Sequence, residues 1–171
     1  AGSKVVVIDD GRSFEHSAKL QGGAFVEFTM SSGFCLNPFS MIDEAQAEAD
    51  EDYLLDCMAM LKAIINQMSR HIDRLNDTER GLIDGAVNAV WEKKRRAGSI
   101  DDVIAALDAT GNELAANLGI AMRPFSSGGT YGRFFQGEGS LELKSQLHVF
   151  EPTGLSSCAG RLSSGLTEIM L

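Results

Sequence analysis

The sequence predicts an α/β fold interrupted by an all-α block. Three features predict it: short β-rich runs around a helix in the first forty residues, helical spacing of apolar residues from 50 to 122, and a β-rich run returning at Gln146–Glu151.

Lys4 to Ile8 is a continuous, β-branched apolar run closed by Asp9-Asp10-Gly11, which reads as a buried parallel strand ending in a tight turn. Ser13 can cap a helix running to about Leu20, and Gly22-Gly23 stops it. Ala24 to Met30 is rich in β-formers and reads as a second strand. After a turn at Ser31-Ser32-Gly33, Pro38 in FCLNPF ends regular structure. Strand, helix and strand within about thirty residues make a βαβ unit with parallel strands.

The middle has another texture. From Asp50 to His71, Leu54, Leu55, Met58, Leu61, Ile64, Ile65, Met68 and Ile72 recur at helical spacing, and Met58, Met60 and Met68 serve as core filling. Asn76 with Glu79 three positions on predicts a capping arrangement for a helix with the stripe Leu82, Ile83, Ala86, Val87, Val90 and Trp91, closed by Gly98. Ser99 with Asp102 repeats the pattern, and a fourth helix is expected over Asn112 to Met122. Beyond Arg123-Pro124, Ser126 to Gly139 is a glycine-dense loop with three aromatics, followed by a strand at 146–151 and a terminal helix at Ser156 to Leu171. The division read from these textures is a βαβ core part at 1–42, a helical subdomain at 43–123, and a return to the core at 124–171.

Composition bounds the function. With 44% apolar and 23% charged residues among 171, the chain suits one soluble globular domain with a substantial core. The opening residues do not read as a secretory signal, and no apolar run reaches the roughly 20 residues of a spanning helix. The formal net charge of −9, with acid concentrated from Asp43 to Asp56, disfavours nucleic-acid binding. Lys93-Lys94-Arg95-Arg96 reads as a solvated helix end, where cations suit the dipole, and the acidic run as a solvated first turn. Cys35, Cys57 and Cys158, like His16, His71 and His148, are scattered. They suggest neither a metal site nor a disulfide framework, and a cytoplasmic setting is expected.

An ordered series of motifs carries a resemblance. Val7-Ile8-Asp9-Asp10-Gly11-Arg12-Ser13, Gly22-Gly23, Asn37-Pro38-Phe39, Gly128-Gly129-Thr130-Tyr131-Gly132-Arg133-Phe134-Phe135 and the run LHVFEPTGLSS together resemble the P-loop ATPase domain of the conjugative-transfer, type IV secretion family, in its TraC-like branch. The resemblance implies a partial RecA-like P-loop NTPase sheet carrying the helical block as an insertion. It implies ATP and Mg²⁺ as cofactors of the whole ATPase, homo-oligomers, other secretion-system proteins as partners, and a place at the inner face of the bacterial inner membrane. Glu151-Pro152 departs from the family's usual strand end. No G-x-x-x-x-G-K-[ST] occurs in the 171 residues, nor an apolar strand ending in Asp-Glu. The resemblance places the first motif just before and the second just after this span, so the chain is expected to hold no nucleotide and to be inactive alone.

Five site residues follow. Asp9 and Arg12, at a strand end and in the turn beyond it, are the expected catalytic pair within an intact ATPase, since ligands in such sheets sit past the carboxyl ends of strands. In the isolated chain Asp9 would cap the turn and Arg12 would pair with Asp10 or Glu15. Asn37, Tyr131 and Arg133 are candidate nucleotide or subunit contacts. Against these stand a turn-forming role for Asn37 and anchoring of the glycine loop by its rings. No metal ligands are expected. An alternative reading makes the helical block an interaction module of a secretion apparatus without a nucleotide role; a self-standing α/β enzyme is disfavoured because no nucleophile–base pair is evident.

Overall fold

The computed structural model describes residues 5–9, 11–27, 33–69, 75–139 and 147–151. Two compact units emerge, one from 1–34 with 141–171 and the other from 35–140.

The first unit is a parallel sheet with one helix. β1 (Val5–Ile8), α1 (Glu15–Leu20), β2 (Ala24–Glu27) and β3 (Leu147–Glu151) follow in chain order. The strand order is β1-β3-β2, so the last strand lies between the first two. β3 pairs parallel with both: Val5 faces Leu147 and Ile8 faces Phe150 on one side, while Ala24 faces His148 and Glu27 faces Glu151 on the other. Its central place explains its composition. Val149 and Phe150 are 0% and 1% exposed, as expected for a strand flanked on both edges. On α1, Ala18 is fully buried, and Gly22 (φ 67°) lets the chain turn so that Gly23 N–H reaches the Ala18 carbonyl. Gly23 passes so close to β3 that a Cβ there would meet the Leu147 carbonyl oxygen at 2.8 Å.

The sequence expectations for this unit hold in part. Parallel strands sit at the expected places, although β2 is described only to Glu27. The helix is not capped by Ser13: Phe14 occupies the cap position and makes no side-chain cap bond. Asp9 does that work instead, from the strand end.

The second unit is helical. It holds α2 (Glu44–Ala49), α3 (Glu51–Ser69), α4 (Asp77–Lys94), α5 (Ile100–Asp108) and α6 (Glu113–Met122), with single 3-10 turns at Arg95–Ala97, Arg123–Phe125 and Gly132–Phe134. Each helix start has a local chemical cause. Asp43 accepts from Gln46 N–H, and Asp50 accepts from Asp52 and Tyr53 N–H. The acidic run therefore starts two helices rather than forming one solvated turn. Asn76 and Glu79 form a reciprocal capping box at 2.9 Å each way, stabilising α4 by about 1 kcal/mol. Ser99 accepts from Asp102 N–H, and Asn112 from Leu114 N–H.

The core joins Leu61, Ile64 and Ile65 of α3, Ile83 and Val87 of α4, Val103 and Leu107 of α5, and Ala115 and Met122 of α6, all at most 2% exposed. Leu55, expected on the buried stripe, is 60% exposed. Phe39, Phe125, Phe134 and Phe135 are equally buried, and 35–42 and 124–139 belong to the same compact unit as the helices. The expected strand start at Gln146, terminal helix at 156–171, and Asp10, His71, Ile72 and Cys158 lie outside the described residues.

Candidate functional site

Asp9 ends β1. Its N–H donates to the Phe150 carbonyl at 2.9 Å, extending the ladder by one residue. The side chain, 7% exposed, then accepts from Phe14 N–H at 2.7 Å. The carboxylate thus fixes the five-residue path from strand to helix. Within that path Gly11 has φ 123° and Arg12 φ 58°. A left-handed non-glycine residue costs about 1–2 kcal/mol, and the surrounding turn holds Arg12 in place. Its guanidinium pairs with Glu27 at the end of β2 and lies 3.9 Å from Glu15. Glu15 in turn bonds Lys19 at 2.6 Å, and that hydrogen bond holds its carboxyl below the ordinary value. Glu27 is the partner that sequence reasoning missed, because the pairing depends on where β2 ends rather than on local spacing.

This is the carboxyl edge of a parallel sheet, with a buried carboxylate and an exposed cation three residues apart in the turn that leaves β1. That arrangement can orient a proton acceptor and place a positive charge over an anionic ligand. It does not by itself fit a magnesium–triphosphate group. The Asp9 carboxylate is engaged by a backbone N–H, Arg12 by two carboxylates, and among the described residues no cluster of three acidic, histidine or cysteine side chains could hold a metal ion.

Asn37, Tyr131 and Arg133 belong to the other unit. Asn37 is 4% exposed and its amide bridges three segments. Its Nδ2 donates to the carbonyls of Gly98 (3.0 Å) and Gly137 (3.1 Å), while Oδ1 accepts from Phe39 N–H at 3.2 Å. The last bond is the turn expected from the sequence; the first two are long-range. They border a polar cleft of about 640 Å³ that also presents Lys94, Arg96, Asp102 and Glu138. The basic cluster is largely engaged. Lys94 pairs with Asp102 at 2.7 Å, Arg96 donates twice to the Ser40 carbonyl, and Arg95 lies over Trp91 at 5.5 Å.

The glycine loop is rigidly built. Tyr131 N–H donates to the Pro124 carbonyl at 2.8 Å, and its ring stacks on Phe125 at 5.5 Å between centroids. Phe125 also meets Phe135 edge-on at 5.8 Å. At Gly129 a Cβ would lie 2.2 Å from the Arg123 carbonyl oxygen, and at Gly132 1.9 Å from that of Ser126, so backbone approach demands glycine at both. Arg133 is exposed, its guanidinium 5.3 Å from the Phe134 ring. Asp101, which no local motif singles out, clamps this loop. Its carboxylate accepts from Ser127 N–H (2.9 Å), Ser127 Oγ–H (2.8 Å) and Gln136 Nε2–H (2.9 Å). Partial burial pushes the Asp101 carboxyl up, but the Ser127 and Gln136 bonds outweigh it and hold the group below its ordinary value.

No protein-family model matches the chain. It is similar to Protein TraC of Escherichia coli (strain K12), with 25% identity over 91% of this chain and 18% of TraC. The chain therefore spans less than a fifth of that relative. Its fold is similar to that of VirB4 of Thermoanaerobacter pseudethanolicus, with a TM-score of 0.73 at 14% identity, covering 99% of this chain and 48% of that structure.

Proposed function

We propose that this chain, a relative of the conjugative-transfer and type IV secretion ATPases, works as a segment of a motor that hydrolyses ATP to energise macromolecule transfer. The observation that supports this reading most is the placement of Asp9 and Arg12 in the turn that leaves β1 at the carboxyl edge of a parallel sheet. In the assembled ATPase, ATP would supply the reactive phosphoryl group and Mg²⁺ would neutralise its charge, with a P-loop elsewhere in the polypeptide to grip it. The role of this chain is narrower. Asp9 fixes the strand-end turn, Arg12 offers a cation to phosphate charge or to a neighbouring subunit, and Tyr131 and Arg133 offer a second contact of that kind. By itself the chain is inactive in this account. Homo-oligomers, other secretion components as partners, and work at the inner face of the inner membrane belong to the same proposal. No described helix is long and apolar enough to cross a membrane.

The test is turnover in the longer ATPase polypeptide carrying Asp9→Asn or Arg12→Ala. Asp9→Asn keeps an oxygen for Phe14 N–H while removing the charge. Loss of an arginine that faces transferring phosphoryl charge costs about a thousandfold or more in kcat. Wild-type turnover in both variants would refute this assignment. One observation favours a second reading: residues 35–140 form a compact unit with its own core, yet leave Leu55, Leu114 and Ile120 at 60%, 44% and 55% exposure. That unit would then dock another secretion component without nucleotide. Tight docking that survives Arg12→Ala and needs no ATP would favour it.

A further inference from the structure

We propose that Asp101 is a positioning residue for Arg133, locking the glycine loop so that the arginine is presented in one place. The inference rests on the reading of Arg133 as a nucleotide or subunit contact. Ser127 and Gln136, the two loop residues that bond Asp101, stand on either side of Arg133 in sequence. Between them the chain folds back on itself through the Gly129 N–H bond to the Ser126 carbonyl and the Gly132 N–H bond to the Gly129 carbonyl, at 2.8 and 3.1 Å. From below, Tyr131 stacks on Phe125, and Phe134 and Phe135 are 1% exposed.

Aromatic burial sets where the loop sits, but it leaves the polar tip around Ser127 to be fixed by other means. Asp101 supplies that fixing. It stands in the first turn of α5, a helix whose Ile100, Val103 and Leu107 are fully buried, so the carboxylate is carried on a rigid support. Its neighbour Asp102 is occupied otherwise, with Lys94 and Ser99. Arg133 makes its contact with Phe134, whose ring is held in the core, so the surface on which the guanidinium rests is set by the loop. A cation acting on another subunit or on phosphate must be placed within a fraction of an ångström, and a loop freed at 127 and 136 cannot hold it there.

Two readouts test this. Amide hydrogen exchange on this chain, wild type against Asp101→Ala, which removes both acceptor oxygens, reads the lock itself. Losing a hydrogen bond to a charged acceptor raises exchange at the Ser127 amide about tenfold or more, while Val103 and Leu107 keep their protection. ATP turnover in the longer polypeptide reads its consequence. Asp101→Ala lowers kcat in the direction of Arg133→Ala at unchanged KM, and the double variant is no slower than Arg133→Ala alone. Ser127→Ala removes a donor from the loop side and gives the same pattern if Asp101→Ala disturbs α5. Unchanged exchange at Ser127, or losses that multiply in the double variant, would overturn the positioning role. Wild-type turnover in Arg133→Ala would instead overturn the contact reading of Arg133, and with it the reason for the lock.

Discussion

Replacing Asn37 by alanine removes three hydrogen bonds from one buried side chain. The Phe39 N–H loses its acceptor, and the carbonyls of Gly98 and Gly137 lose their donor. Unmade buried bonds cost about 1–3 kcal/mol per stranded group, which sets an upper range near 3–9 kcal/mol. The cleft lowers that figure, because Gly98 and Gly137 both line it and water can reach their carbonyl oxygens. The stranded group without such relief is Phe39 N–H, beside a side chain that is 0% exposed. The expected loss is therefore about 2–3 kcal/mol, equivalent to a fall in Tm of about 10–20 °C for a unit of roughly 100 residues. Trp91 is the sole tryptophan and is 5% exposed within this unit, so urea unfolding followed by its fluorescence reports on the helical part. Asn37→Asp sharpens the test. It keeps an acceptor for Phe39 but turns a carboxylate toward two carbonyl oxygens, so it is expected to be at least as damaging as alanine. A loss under about 0.5 kcal/mol for Asn37→Ala, within the scatter of surface changes, or an Asn37→Asp variant milder than alanine, would refute the reasoning.

Three further outcomes are expected. Gly132→Ala forces a Cβ to within 1.9 Å of the Ser126 carbonyl oxygen, so the 126–132 turn must open; loss of the Tyr131–Phe125 stacking, read from side-chain NMR shifts, checks it. Asn76→Ala removes the capping box and destabilises the helical unit by about 1 kcal/mol in the same urea titration, with Asn76→Ser restoring most of it. Because the folded-state carboxyl of Asp101 titrates below its ordinary 3.8, its contribution is complete above that value and is lost as pH falls through the lower folded one. The stability difference between wild type and Asp101→Asn is thus expected to be flat from pH 7 to about 5 and to shrink below the ordinary value; a difference that grows on acidification would contradict it.

What was legible in the sequence was what local chemistry decides. Asn76 with Glu79 and Ser99 with Asp102 could be read as helix starts because a cap acts over three residues. The β-branched run at Val5–Ile8 needed no tertiary information either. Partners far apart in sequence were not legible. Nothing local in Arg12 points to Glu27, and nothing in Asp101 points to Ser127 or Gln136. The insertion of β3 between β1 and β2 is likewise a long-range event. The acidic run misled because its acids serve two separate helix starts, at Asp43 and Asp50, where a single first turn is the simpler reading. Texture assigned 35–42 and 124–139 to the strand region, whereas both belong to the same compact unit as the helices.

In the proposed role, this chain contributes to an ATPase without holding the nucleotide by itself. Calorimetric titration of ATP–Mg²⁺ into this chain, beside a longer polypeptide carrying a P-loop and the second acidic motif, tests it most directly. No specific binding by the chain alone is expected, with saturable binding and turnover in the longer form. Specific binding to the chain alone at millimolar affinity or better would contradict it.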